Sequence, residues 1–89
     1  KMHKVLIVMH DHVHDDYYRM NKVEFETLPA IGQYLYNTDG LVYQVEEVTN
    51  FAGYVSSKGA VALVVVHQVE KELPVNDLYG LNIEEDLDD

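Results

Sequence analysis

Two short, uninterrupted apolar runs constrain the fold of this chain more than any other feature. They are Val5–Met9 and Ala60–Val66, and both are rich in β-branched residues. Such runs are typical of strands that are covered on both faces of a sheet. Neither approaches the roughly 18 residues of a membrane-spanning helix. The sequence therefore predicts two central strands that lie side by side in one sheet, and no membrane partner.

A further strand is predicted between the two apolar runs. Polar and apolar residues alternate around Val23 and Phe25, which predicts a strand from Arg19 to Leu28. The alternative for this segment is a helix capped by Asp15 or Asp16. The β-branched residues and the strict alternation favour the strand.

A hairpin is the clearest local signal in the sequence. The dipeptide Asp39-Gly40 stands between two apolar runs and is typical of a hairpin turn. It predicts that a short strand, Gln33–Tyr36, pairs with a longer one, Leu41–Phe51. The inward-facing series of the longer strand cannot continue through Glu47 unless one residue is extra. We therefore predict a β-bulge at Glu46–Glu47.

Five strands and tight turns predict an all-β fold, because no ten-residue amphipathic helix is evident. We expect a small antiparallel barrel or roll of five to six strands, similar in size to an SH3 or OB fold. A chain of 89 residues forms one domain. We place this domain at residues 1–74 and expect residues 75–89 to form an acidic, partly flexible tail.

The negative charge is unevenly distributed along the chain. Sixteen acidic and six basic residues give a net charge of −10. Residues 1–69 carry a net charge of only −3, whereas residues 70–89 carry −7. This balance argues against binding to nucleic acid or anionic lipid, which require cationic surfaces. A tail of this kind aids solubility or docks a basic partner. An acidic DNA-mimic inhibitor of phage origin is an alternative, although mimicry needs the charge on a rigid body.

Catalysis has little support in the sequence. Ser56 and Ser57 lie in a predicted turn without a nucleophile elbow, and the five glycines are scattered rather than gathered in a phosphate-binding loop. The chain contains no cysteine, which excludes disulfides and thiolate chemistry and fits a cytoplasmic location. We therefore predict a cytoplasmic protein that is not an enzyme and needs no organic cofactor.

The candidate metal ligands are three alternating histidines, His10, His12 and His14. If the first strand continues from Lys4 to His14, these side chains share one face at intervals of about 6.5–7 Å. With a carboxylate from another strand they would bind a divalent transition metal. The simpler interpretation is a solvated polar face, and a pH-sensitive surface is a third. Candidates for a further ligand are Asp15, Asp16 and His67.

Tyrosine dominates the aromatic residues, with seven Tyr against two Phe and no Trp. A core this small often gains stability by association, and tyrosine is common at interfaces. The simpler explanation is that tyrosine favours strands. Our leading hypothesis is a non-enzymatic interaction module that binds itself or another protein. The predicted interface residues are Tyr34, Tyr36, Tyr54 and Tyr79.

Two segments resemble a pattern in known bacterial proteins. Leu28–Leu35 contains a Leu-Pro-x-x-Gly corner, and Gly40–Val48 contains a Tyr-x-Val-x-x-Val strand. This pattern is similar to that of short small-β-barrel proteins of Gram-positive bacteria and their phages. The resemblance implies a small β-barrel. Those proteins are largely uncharacterised, so the resemblance implies no functional residue.

Overall fold

The computed structural model describes residues 1–37, 40–53 and 59–71. Its regular elements are all strands, and the all-β prediction is confirmed. The segment for which a helix was the alternative is a strand. The strands are β1 (His3–Asp11), β2 (Asp16–Phe25), β3 (Tyr34–Tyr36), β4 (Val42–Asn50) and β5 (Ala62–Val69).

The five strands form one sheet in the order β2-β1-β5-β4-β3. The two doubly apolar strands, β1 and β5, lie side by side near its centre, as the sequence predicts. They run parallel, with Val5 opposite Ala62 and Met9 opposite Val66, whereas the other three pairs are antiparallel. The sheet is therefore mixed rather than purely antiparallel. The mixed character arises at β5, which lies between β1 and β4. It runs parallel to β1 and antiparallel to β4.

The sheet curls without closing into a barrel. Its edge strands, β2 and β3, do not pair with each other within the described residues. Both nevertheless line one cavity of about 200 Å³, to which β2 contributes Met20, Val23 and Phe25 and β3 contributes Tyr34–Tyr36. The two edges thus approach each other across one face, as they do in a β-roll.

The core lies on the concave face of this roll. Its largest fully buried side chains are four valines from the three central strands. Met9, Leu28 and Leu35 pack at its margin. The other face carries the alternate residues of the same strands. Those four valines are Val5, Val45, Val64 and Val66.

The predicted hairpin and bulge are both present. β3 pairs antiparallel with β4, and the Gly40 N–H donates to the Asn37 carbonyl at 3.0 Å. Farther along β4, Val45 lies opposite Val66 whereas Glu47 lies opposite Val65. Glu46 is therefore the extra residue of a β-bulge, at the position that the sequence indicates.

Several predicted features fall outside the described residues. These are Tyr54, Tyr79, most of the Ser56–Gly59 turn, and the acidic tail at residues 75–89. Within the described ranges, no helix has the length and apolar character required to cross a membrane.

Val64→Ala tests whether the central strands hold the fold together. Val64 is 0% exposed, so removing its two methyl groups should lower the free energy of unfolding by about 2 kcal/mol. The cavity that remains should lower it further. Val13→Ala is the matched control because Val13 is 86% exposed, and we expect it to stay within about 0.5 kcal/mol of the parent. Urea unfolding of both variants makes the measurement. Similar losses in the two would contradict the assigned core.

Candidate metal centre

The carboxylate of Glu46 is the centre of a cluster of histidines. Its Oε2 atom lies 3.1 Å from His10 Nδ1. Its Oε1 atom lies 2.9 Å from His12 Nε2 and 3.2 Å from His67 Nδ1. One carboxylate thus contacts three imidazoles that belong to β1, to the turn after it, and to β5.

The sheet register explains why these side chains meet. Met9 of β1 lies opposite Val66 of β5, so the next residues, His10 and His67, emerge side by side on the face opposite the core. Glu46 is the extra residue of the bulge on the neighbouring strand β4. Bulges redirect side chains, and this one directs a carboxylate to the two histidines. The site therefore combines a parallel strand pair with a local irregularity.

The turn between β1 and β2 separates the three predicted histidine ligands. The predicted strand Lys4–His14 is too long, because β1 ends at Asp11 and the chain then turns. The Asp11 carboxylate accepts the Val13 N–H at 2.9 Å and contacts His14 Nδ1 at 2.8 Å. That contact lowers the pKa of Asp11. His12 therefore reaches Glu46, whereas His14 is held by Asp11 and stands apart from the cluster.

His10, near the end of β1, is enclosed more tightly than His12 and His14 in the turn that follows. Its Nδ1 faces Glu46, and its Nε2 lies 2.8 Å from Asp15 Oδ1. Its ring stacks on Tyr17, with centroids 4.3 Å apart and planes 7° from parallel. A carboxylate accepts hydrogen bonds and a ring N–H donates them, so both contacts favour the doubly protonated imidazolium. The hydrogen bonds to Asp15 and then Glu46 accordingly raise the pKa of His10.

Glu46 is ionised throughout the physiological range. Burial opposes its ionisation, but the hydrogen bonds from His10 and His12 outweigh burial and lower its pKa to about 2. In the metal-free cluster the Glu46 carboxylate therefore accepts hydrogen bonds from imidazole N–H groups. A metal ion would take the place of those protons.

The cluster has the spacing of a metal centre. One nitrogen each from His10 and His12 and one oxygen of Glu46 all lie within 4.8 Å of one another. Tetrahedral zinc with bonds of about 2.1 Å holds its ligand atoms about 3.4 Å apart, so the side chains would draw closer together around an ion. His67 stands beside this trio, with its ring centroid 4.8 Å from that of His12.

Sequence reasoning identified part of this cluster. It names His10 and His12, and it lists His67 as a further candidate. It does not name Glu46, although the predicted bulge was the signal that could have identified it. Of the other two candidates, Asp15 contacts His10, and Asp16 accepts a long hydrogen bond of 3.5 Å from Tyr18.

The described members of the predicted tyrosine interface lie on the edge strand β3. Tyr34 is 44% exposed, and the Lys71 ammonium lies 4.7 Å from the centre of its ring. Tyr36 is half-buried and lines the cavity. Whether they form an interface stays a prediction.

Glu46→Gln should alter the pH dependence of stability in the metal-free protein. The pKa of Glu46 lies below its ordinary value of 4.5, so its contribution is complete above that pH and is lost as the pH falls towards 2. The pKa of His10 is raised above 6.5, so its contribution is complete below that pH and is lost as the pH rises through the raised value. We expect the parent to exceed the variant by roughly 1–3 kcal/mol near pH 5.5.

Urea unfolding from pH 2 to 9 in the presence of a chelator measures this difference. It should shrink towards zero at pH 2 and also decline at alkaline pH. Glu47→Gln is the matched control, because Glu47 is the exposed neighbour of Glu46 on the same strand. A pH-independent difference for Glu46→Gln would contradict the ionised carboxylate at the centre of the cluster.

Comparison with known proteins leaves the function to be argued from the site itself. No family model, no curated protein and no solved structure matches the chain. The resemblance to small-β-barrel proteins of Gram-positive bacteria and their phages therefore stays a prediction.

Proposed function

We propose that the protein binds a divalent transition-metal ion through His10, His12 and Glu46. The observation that carries the proposal is the convergence of these three ligand atoms within 4.8 Å. Glu46 lies more than 30 residues from His10 and His12 in the sequence, and the β-bulge directs its carboxylate to them. This arrangement favours metal binding over the simpler interpretation of a solvated polar face.

The chemistry of the ligands limits the class of metal. Two imidazoles and one carboxylate suit Zn²⁺, Ni²⁺ or Cu²⁺, whereas Mg²⁺ and Ca²⁺ prefer oxygen ligands. If His67 joins, the set becomes three imidazoles and one carboxylate. Four such ligands match the tetrahedral coordination of Zn²⁺. We therefore take Zn²⁺ as the first ion to test.

The position of the cluster suggests what a bound ion would do. His10 belongs to β1, Glu46 to β4, and His12 to the turn that leads into β2. A metal bound to all three would link these elements at one end of the sheet. In a small domain without disulfides such a link adds stability, because binding energy to the folded state is added to folding energy.

Zinc titration of chelator-treated, tag-free protein tests the proposal. We expect one zinc ion per chain by calorimetry. At a free zinc concentration of about 100 times Kd, the gain of about 2.7 kcal/mol should raise Tm by at least about 10 °C. An affinity tag must be absent, since it would itself bind the ion.

Variants locate the bound ion. His12→Ala and Glu46→Gln should each weaken binding by at least about tenfold, because each removes one ligand. His14→Ala is the matched control, since His14 contacts Asp11 instead of the cluster. Equal losses in His12→Ala and His14→Ala would contradict the site, as would zinc that leaves Tm unchanged.

Self-association is a second candidate function, favoured by the edge strand β3. It exposes Tyr34, and Ile31 just before it is 70% exposed. Exposed apolar side chains beside a strand edge with which no other described strand pairs can pack against a second copy or another protein. The metal and interaction proposals concern different surfaces and are compatible.

Light scattering over a range of protein concentrations tests the second candidate. We expect a dimer or larger species, and Tyr34→Ser should shift it towards the monomer. Tyr18→Ser is the matched control, because Tyr18 is similarly exposed on the opposite edge strand, β2. A strict monomer at all concentrations would overturn self-association.

A further inference from the structure

We propose that Asp15 is a positioning residue that orients His10 so that the Nδ1 atom, rather than Nε2, binds the metal. This inference rests on the metal site proposed above and adds to it a residue that is not itself a ligand. The observation behind it is a continuous series of contacts from Asp15 through the His10 ring to Glu46.

The two nitrogens of His10 have separate partners. Nε2 lies 2.8 Å from Asp15 Oδ1, and Nδ1 lies 3.1 Å from Glu46 Oε2. Metal-binding histidines almost always donate their other ring N–H to a carboxylate, a carbonyl or water, which fixes the ring and strengthens the ligand. If Nε2–H remains hydrogen-bonded to Asp15, only Nδ1 is left to face the ion. The geometry thus assigns the ligand atom.

Further contacts hold the imidazole in this orientation. Tyr17 stacks on one face of the His10 ring, and the His12 ring meets it at 65° with centroids 4.3 Å apart. The His10 side chain is only 14% exposed as a result. A 180° rotation about the Cβ–Cγ bond would put Cδ2 in the place of Nδ1 and Cε1 in the place of Nε2, so it would remove the contacts with both Glu46 and Asp15. The contact with Asp15 therefore favours the observed orientation, in which Nδ1 faces Glu46.

The backbone of the turn places the Asp15 carboxylate within hydrogen-bonding distance of His10. Its φ is 55°, and among the non-glycine residues that the structure describes it alone has a positive φ. Only a few residue types, Asp and Asn among them, visit this left-handed region with any frequency. The adjacent Asp16 instead begins β2 and contacts Tyr18. One of two neighbouring carboxylates is thus turned back to His10.

A purely structural role would have a different signature. The Asp15 side chain is 84% exposed, and exposed ion pairs contribute little to stability. Removing Asp15 should therefore change the stability of the metal-free fold only slightly while weakening metal binding strongly. This separation of the two effects distinguishes a positioning residue from a residue that only holds the turn.

The experiment compares three variants by zinc calorimetry and by the Tm of the metal-free protein. Asp15→Gly removes the carboxylate and suits a positive φ, Asp15→Asn keeps a neutral acceptor for Nε2–H, and Asp16→Asn removes a neighbouring charge only. We expect Asp15→Gly to weaken zinc binding about 10- to 100-fold with an unchanged or raised Tm. The zinc affinity of Asp15→Asn should fall between those of Asp15→Gly and the parent. Asp16→Asn should stay within about threefold of the parent, because Asp16 is exposed to solvent and contacts Tyr18.

Nitrogen NMR of the imidazoles supplies the second measurement. In the zinc-bound parent we expect the metal on Nδ1 of His10 and a proton on Nε2. Zinc on Nε2, or equal affinities for Asp15→Gly and the parent, would overturn the inference while leaving the metal site intact. Equal weakening in Asp15→Gly and Asp16→Asn would also overturn it, since that is a general effect of charge. A parent that binds no zinc would overturn the proposed function itself, and this inference with it.

Discussion

The parallel pairing of β1 with β5 is the constraint on which the rest of the structure depends. It joins the two most apolar strands and buries Val5 and Val64 between their neighbours. It also fixes which residues lie side by side where the paired segments end. His10 and His67 are neighbours there only because their strands run in the same direction in this register. The core and the candidate metal centre are therefore two results of one pairing, on opposite faces of the sheet.

The candidate site combines residues whose positions have different physical origins. His10 is placed by regular strand alternation, Glu46 by a bulge, and His12 by a turn that Asp11 stabilises. The carboxylate is accessible enough to meet an ion, yet it is enclosed enough for imidazole hydrogen bonds to lower its pKa. Such a centre is already organised before an ion arrives, since hydrogen bonds hold the same side chains that would become ligands. Such prior ordering lowers the conformational entropy that is lost on binding.

The sequence predicts the strands and their irregularities better than their spatial partners. Periodicity identifies the apolar pair, and the dipeptide Asp39-Gly40 identifies the hairpin. The interrupted inward series identifies the bulge at Glu46. Strand direction is not encoded locally, so the parallel pairing of β1 with β5 was not predicted. The same limit explains why Glu46 was missed as a ligand: its partners are fixed by the order of strands across the sheet, not by nearby residues.

The strand order also has a consequence for how the chain reaches its native state. β1 is made first among the described strands, yet one of its two neighbours, β5, is the last of them. Until β5 has been synthesised, β2 is the only one of the two neighbours with which β1 can pair, and the other backbone edge of β1 is open. Proteins dominated by such distant pairings fold slowly, because a long loop must close before the contact is made. During that interval an apolar strand with a free edge is a template for pairing between chains, so aggregation competes with folding at the centre of the future sheet.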